Sequence, residues 1–188
     1  MDMKSQKTFI GAVLTVFGGY FSGVITVLLR GVTESDLVAR YLAAETRTDW
    51  LGAFLAGPFY VLLTLCCGVF LFGWLMVLPV VFYKSYGLGY TAGLFLACYG
   101  AKGFLPLGLC IFPSAAAESL LLIRSARDAL PQSFSLFQGL RDGVSPCFFQ
   151  GLKAYLLRSL VVFQCSAFVL LWDLFLSPLI LSGIRDML

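Results

Sequence analysis

The sequence predicts an all-α fold, a polytopic membrane helical bundle of about five passages with amphipathic helices at its surface. Apolar residues (AVILMFWYC) make up 60% of the chain and charged residues only 12%, and the mean hydropathy is +0.91. Ordinary globular chains hold roughly 45–50% apolar residues (glycine included) and about 25% charged ones. Long apolar runs alternate with short polar stretches, as in helices that cross lipid. We therefore predict one integral membrane domain over residues 1–188.

The first passage is predicted at residues 9–29, an apolar run with the length of a transmembrane helix. It lacks the small-residue cleavage site of a signal peptide, so we interpret it as an anchor. Gly19 and Gly23 lie four residues apart, and this spacing lets another helix approach closely in lipid. Packing within one subunit is the favoured use, and contact between copies in a homo-oligomer is the alternative.

A polar segment follows at residues 30–50, with three basic and four acidic side chains. Leu37, Tyr41 and Leu42 recur in it at helical spacing, which predicts a short amphipathic helix lying on the outer membrane surface. Two roles fit this helix. It either covers the ends of the membrane helices or offers a docking face to an external partner.

The second passage is predicted at residues 51–83, bent or interrupted near Pro58 and Pro79 and closed by Lys84. Residues 86–99 then form the short arm of a helical hairpin. At about 1.5 Å per residue this arm reaches only ~21 Å, less than the ~30 Å hydrocarbon core.

The turn of this hairpin is predicted from glycine, lysine and tyrosine residues in the middle of the apolar run. These residues are Tyr99, Gly100, Lys102 and Gly103. The fourth passage follows at residues 104–123.

Residues 124–158 hold five basic and two acidic side chains and are predicted as a cytoplasmic loop, because excess lysine and arginine stays inside. Ser145 and Pro146 are a good helix start, so an interfacial helix should lead from there into the last passage at 159–181. Five passages place the N-terminus inside and the C-terminus outside. A re-entrant dip at 86–99 would instead put the basic loop outside.

Glu118 and Asp173 are the two acids placed within apolar segments, and such residues normally face the protein interior or a wet cavity. From their positions along their helices we expect different depths and no mutual contact. Glu118 is expected to interact with Ser114 or with Arg158.

Asp173 is expected to form a structural polar knot with Ser177 at the kink of Pro178, with Lys102 as a further partner. The alternative is a proton or ion relay.

Catalysis finds little support in the sequence. The chain has no histidine, no zinc-ligand spacing and no phosphate-binding loop, and its six cysteines fit small buried apolar residues. The net charge of +3 includes no basic cluster suited to nucleic acid. We predict no enzyme activity, no catalytic residues, no metal site and no cofactor, with membrane lipids around the chain.

Residues Tyr83–Gly93 and the later run Tyr99–Gly103 resemble the central signature of the stage II sporulation protein M family. The signature's lysine and glycines fall at Lys84, Gly87, Gly89 and Gly93. The residues that fit other parts of the family pattern are Pro113, Glu118, Asp173, Ser177 and Pro178. The chain departs from that pattern at Ser85 and Leu120, where the family has glycine and proline.

This resemblance implies a multipass, non-enzymatic membrane scaffold that recruits peptidoglycan-degrading enzymes during forespore engulfment, in the septal and engulfing membrane of sporulating cells. The alternative is a small transport component, a permease or an exporter subunit. A transporter should show a wet cavity lined by Glu118 or Asp173, and a scaffold should show a dry bundle.

Overall fold

The computed structural model of the chain describes residues 3–30, 50–100, 107–142 and 147–176. All its elements in these ranges are helical. They are α1 (Met3–Arg30), α2 (Trp50–Ala56), α3 (Pro58–Cys67), α4 (Gly73–Tyr99), α5 (Phe112–Asp142) and α6 (Cys147–Leu171). A π-helical turn at Leu107–Ile111 leads into α5, and another at Trp172–Leu176 continues α6. The predicted all-α class is confirmed.

Among the described residues, two helices are long and apolar enough to cross a membrane, Gln6–Leu29 in α1 and Gly151–Phe175 in α6 and the π-helical turn that continues it. Only 22% and 17% of their apolar windows are buried inside the protein. The core helix of a water-soluble protein would be mostly buried, so these apolar faces need another apolar surrounding.

Within the described ranges, the helices traverse the bundle five times in alternating directions. Helices α1 and α4 run parallel, because Gly19 lies against Phe82 and Val27 lies against Gly93. Helices α3 and α5 run the other way. One buried cluster joins Val16 of α1 to Ala126 of α5, and a second joins Val27 to Ile111, just before α5.

Close contact between α1 and α4 depends on glycine. A side chain at Gly23 would meet the carbonyl oxygen of Tyr86 at 2.3 Å, and one at Gly89 would meet the carbonyl oxygen of Tyr20 at 2.0 Å. The two backbones therefore touch, as small residues at four-residue spacing allow in membrane helices. Gly93 packs on Val27 in the same seam. These contacts agree with the favoured use of the first helix, packing within one subunit.

The second passage was predicted to continue to residue 83, and this end is wrong. Helix α3 ends at Cys67, and the chain reverses through residues 68–72 before α4 begins. Gly73 makes the reversal possible, since a side chain there would lie 1.7 Å from the carbonyl oxygen of Cys67. The Ser133 hydroxyl of α5 satisfies two backbone groups at this reversal. It donates a hydrogen bond to the Phe70 carbonyl (2.7 Å) and accepts one from the Trp74 amide (2.9 Å).

The short hairpin arm predicted at 86–99 is also wrong. Helix α4 has 27 residues and continues through Pro79, so it is about 40 Å long at 1.5 Å per residue. Lys84 consequently lies in the middle of a helix and not at its end. The helix does end at Tyr99, where Gly100 takes a φ of +55° that favours glycine. Lys102 and Gly103, the rest of the predicted turn, lie outside the described residues.

The predicted boundaries 104–123, 124–158 and 159–181 need correction as well. Helix α5 has 31 residues and reaches Asp142, so much of the predicted loop is helix. Ala126, Ala129, Ser133 and Leu136 are buried, and this largely apolar face holds the helix on the bundle. The predicted interfacial helix and the predicted last passage form one continuous helix, α6. The predicted outer segment, with Leu37, Tyr41 and Leu42, lies outside the described residues.

Candidate polar cavity

A buried ion pair joins the middle of α4 to α5. The ammonium Nζ of Lys84 lies 2.6 Å from Oε2 of Glu118, and the two side chains are 9% and 7% exposed. Burying two charges is costly unless their geometry is good and their remaining hydrogen-bonding groups are satisfied. The surroundings of this pair show how the chain meets that condition.

The break between α2 and α3 supplies the third partner of the pair. The amide of Tyr60 donates to the carbonyl of Gly57 at 3.0 Å, so the carbonyl of Ala56 has no donor from the following helical turn. Lys84 donates to this Ala56 carbonyl. Proline at position 58 suits the first turn of α3, because its missing N–H is not needed there. One ammonium thus ties α2, α4 and α5 together.

Glycine and tyrosine complete the immediate surroundings of the pair. A side chain at Gly57 would lie 1.7 Å from Oε1 of Glu118, so only glycine lets the carboxylate reach the helix break. The ring of Tyr60 has its centroid 5.8 Å from the Lys84 ammonium, within the range of a cation–π interaction. Tyr83 lies beside Tyr60, with ring centroids 6.2 Å apart.

The ion pair forms part of the wall of a cavity of about 620 Å³. This volume falls within the roughly 300–1,000 Å³ typical of small-molecule sites. Four tyrosines and three ionisable side chains contribute to its lining. The lining residues are Leu55, Ala56, Tyr60, Tyr83, Lys84, Tyr86, Gly87, Leu88, Tyr90, Thr91, Ile111, Ser114, Glu118 and Asp173.

Glu118 and Asp173 both line this cavity, so the expectation that different depths separate the two acids is wrong in that respect. The expectation that they make no direct contact stays a prediction. The cause of the shared cavity is the architecture. Helix α6 packs on α3, with Val162 in one cluster with Val61 and the Tyr155 hydroxyl donating to the Leu65 carbonyl at 2.5 Å. This packing carries the end of α6 to the break between α2 and α3, where the Glu118 carboxylate lies.

The sequence analysis also did not predict Lys84 as the partner of Glu118. Ser114, one expected partner, lines the cavity but donates to the carbonyl of Ile111 at 3.1 Å. Arg158, the other, lines a separate cavity beside Gln132 and Tyr155. The sequence contained one usable signal for the true partner, a lysine and a glutamate that each stand alone in an apolar segment.

The remaining predicted site residues fall in three groups. Gly89 and Gly93 pack on α1, whereas Gly87 has open space around it and lines the cavity. Tyr99 packs near Phe95, with ring centroids 6.4 Å apart. Ser177 and Pro178 lie outside the described residues, so the predicted knot with Asp173 stays a prediction.

Over the described part of the chain, no group of three or more histidine, cysteine or acidic residues could hold a metal ion. Comparison with known proteins identifies no relative: no family model matches the chain, and neither does a curated protein or a solved structure.

Proposed function

We propose that this chain is a multipass integral membrane protein with five helical passages. Large apolar side chains are exposed along α1, α4 and α6, among them Leu14, Met76 and Phe168 at 60–72% exposure. Such surfaces suit lipid and not water. Under the positive-inside rule, the end of the bundle where α1 begins is cytoplasmic, since Lys7, Arg141 near the end of the antiparallel α5, and Lys153 near the start of α6 belong to that end.

Within the membrane, we propose that the chain binds a small polar molecule or ion in its cavity, as a transport component. The single observation that carries this proposal is the cavity lined by Glu118 and Asp173. Ionisable groups inside a membrane are expensive, and by default they mark a functional site such as a substrate or ion pathway. The proposal requires binding and passage and no chemical conversion, so the protein is proposed as a non-enzyme.

Water access to the cavity is the property that tests this function. Thr91 lines the cavity, and its hydroxyl donates to the carbonyl of Gly87. We expect the variant Thr91→Cys, in intact cells, to react with a charged, membrane-impermeant maleimide well above the level of the parent protein. Its matched control is Thr26→Cys, since Thr26 makes the same type of bond, to Ser22, away from the described cavity lining. A Thr91→Cys protein as inert as the Thr26→Cys protein would refute a wet cavity.

The second candidate function is the scaffold implied by the resemblance to the stage II sporulation protein M family. It is supported by the positions of the motif residues: Lys84, Gly89 and Gly93 all make contacts that hold the bundle together. We propose peptidoglycan hydrolases as partners, held at the outer surface of the septal and engulfing membrane.

Co-purification tests the scaffold. A wall hydrolase should be retained by the parent protein and lost from Leu37→Asp and Tyr41→Asp variants, which would disrupt the predicted docking helix. Thr26→Cys serves as the control that leaves this segment untouched. Retention of the hydrolase by both aspartate variants would exclude this docking face.

A further inference from the structure

We infer that a cleft between α5 and α6 binds one hydrocarbon chain of a membrane lipid from the outer leaflet. The cleft is a second site, next to the polar cavity, so the inference goes beyond the proposed function. Its volume is about 290 Å³. Its described lining consists of Pro113, Ser114, Ala117, Phe168, Val169 and Trp172.

Small side chains on α5 create this cleft. Residues 113–117 read Pro-Ser-Ala-Ala-Ala, and members of this run form one wall. The opposite wall, on α6 and the turn that continues it, carries the large side chains of Phe168 and Trp172. Further along α5, Leu122 and Val162 meet in one buried cluster. The two helices therefore pack directly there and leave a concave space nearer the start of α5.

The cleft belongs to the apolar surface that we assign to lipid. Phe168 in its wall is 72% exposed, and Phe112, next to Pro113, is 66% exposed. The Ser114 hydroxyl already donates to the carbonyl of Ile111, so it needs no further acceptor. An apolar space of this kind stays free of water, and an empty one forfeits dispersion contacts along its walls. A hydrocarbon chain from the surrounding lipid supplies those contacts.

The position of Trp172 indicates how the lipid lies. Trp172 is in the last turn of the apolar helix Gly151–Phe175, at the outer end in the proposed topology. Tryptophan is enriched at the level of the lipid headgroups. A chain that enters beside Trp172 and runs past Ala117 towards Phe168 points inward, as chains of the outer leaflet do. Because Ser114 lines both spaces, the polar end of this lipid lies beside the polar cavity.

Quenching of tryptophan fluorescence tests the inference. The chain contains three tryptophans, so the double variant Trp50→Phe, Trp74→Phe leaves Trp172 as the only one. The probe is phosphatidylcholine with brominated acyl chains, added in small mole fractions to the protein in detergent. Bromine quenches tryptophan on contact, so a chain in the cleft should quench Trp172 with saturation at a low lipid fraction. Unbrominated phosphatidylcholine should reverse the quenching.

A protein that keeps only Trp74 is the control for general contact with lipid. Trp74 packs near Phe134, with ring centroids 6.1 Å apart, and does not line the cleft. Its quenching should rise with the lipid fraction without saturating.

Two changes in the cleft should alter the quenching of Trp172. Ala117→Phe places a ring in the cleft and should abolish the saturable quenching. Phe168→Ala removes one wall but not a buried contact, and should raise the half-quenching lipid fraction at least about fivefold. Leu120→Phe is the matched control, because Leu120 is 68% exposed on the same helix and does not line the cleft.

Three results would overturn the lipid site: no quenching of Trp172, quenching that rises without saturation as for Trp74, or equal saturation in the Phe168→Ala and Leu120→Phe proteins. Each of them leaves the wet cavity standing, since water access is measured separately at Thr91→Cys. An inert Thr91→Cys protein would refute the wet cavity and leave the lipid site standing.

Discussion

At the scale of single residues, the Lys84–Glu118 pair determines how three helices meet. The ammonium reaches a carboxylate on α5 and a carbonyl at the end of α2. The attraction between two buried charges is offset by the cost of removing both from water, so the net stabilisation by the pair is small. Removing only one partner is strongly destabilising, since the other charge is then left buried without an opposite charge.

The first prediction concerns this asymmetry. Lys84→Met and Glu118→Gln should each lower the free energy of unfolding in detergent by about 3–5 kcal/mol, and the double variant should lose less than the sum. Arg124→Met is the control. Arg124 is 56% exposed in its pair with the 15% exposed Asp128, so its loss should cost no more than about 1 kcal/mol. Additive losses in the double variant would show that the two charges do not act as a pair.

A second prediction concerns Gly57. A methyl group there would overlap the Glu118 carboxylate, so Gly57→Ala should displace the carboxylate and lower the thermal unfolding temperature by several degrees. Gly87→Ala is the matched control, because nothing lies within 4 Å of the added carbon and alanine favours the helix. Equal unfolding temperatures for the two variants would contradict the close contact at Gly57.

At the scale of elements, the seam between α1 and α4 brings two helix backbones into contact through Gly19, Gly23 and Gly89. In lipid there is little hydrophobic gain on bringing helices together, so close packing of this kind carries much of the stability. The reversal at residues 68–72 has the same dependence on glycine, at Gly68 and Gly73. A side chain at Gly68 would strike the hydroxyl of Tyr155 at 2.1 Å.

The third prediction tests the seam. Gly23→Leu should separate α1 from α4 and strongly reduce the folded fraction recovered from membranes, measured by size-exclusion chromatography in detergent. Gly18→Leu, five residues earlier on α1, should be tolerated, since Gly18 is exposed with open space around it. Loss of folded protein in the Gly18 variant and not in the Gly23 variant would mean that the opposite face of α1 packs against α4.

At the scale of the whole molecule, the alternating directions of the described helices place the start of α1 and the end of α6 at opposite ends of the bundle. The cavity lies in the half of the bundle towards the end of α4, because Tyr90 and Thr91 line it while Val77 and Val81 pack in another cluster. In the proposed topology, which places the N-terminus in the cytoplasm, this half is the outer one. A ligand would then enter from outside.

The fourth prediction follows from this arrangement. Alkaline phosphatase, which is active only outside the cytoplasm, should be active when fused after residue 188 and inactive when fused after residue 142, at the end of α5. Green fluorescent protein at the same positions, which fluoresces inside, should give the opposite pattern. Matching locations for both fusion points would rule out a passage by α6.

The sequence by itself determined the helical class, the apolar character of the helices, the first helix and the end of α4 at Tyr99, because composition and local periodicity report burial and turn chemistry. It also singled out Glu118 and Asp173. Only the tertiary structure decided that residues 68–72 reverse the chain, that Lys84 is the partner of Glu118 and that both acids share one cavity. In uniformly apolar segments, lipid-facing and protein-facing positions look alike, and contacts such as Lys84–Glu118 join residues 34 positions apart. Helix packing, and not local pattern, selects among such pairs.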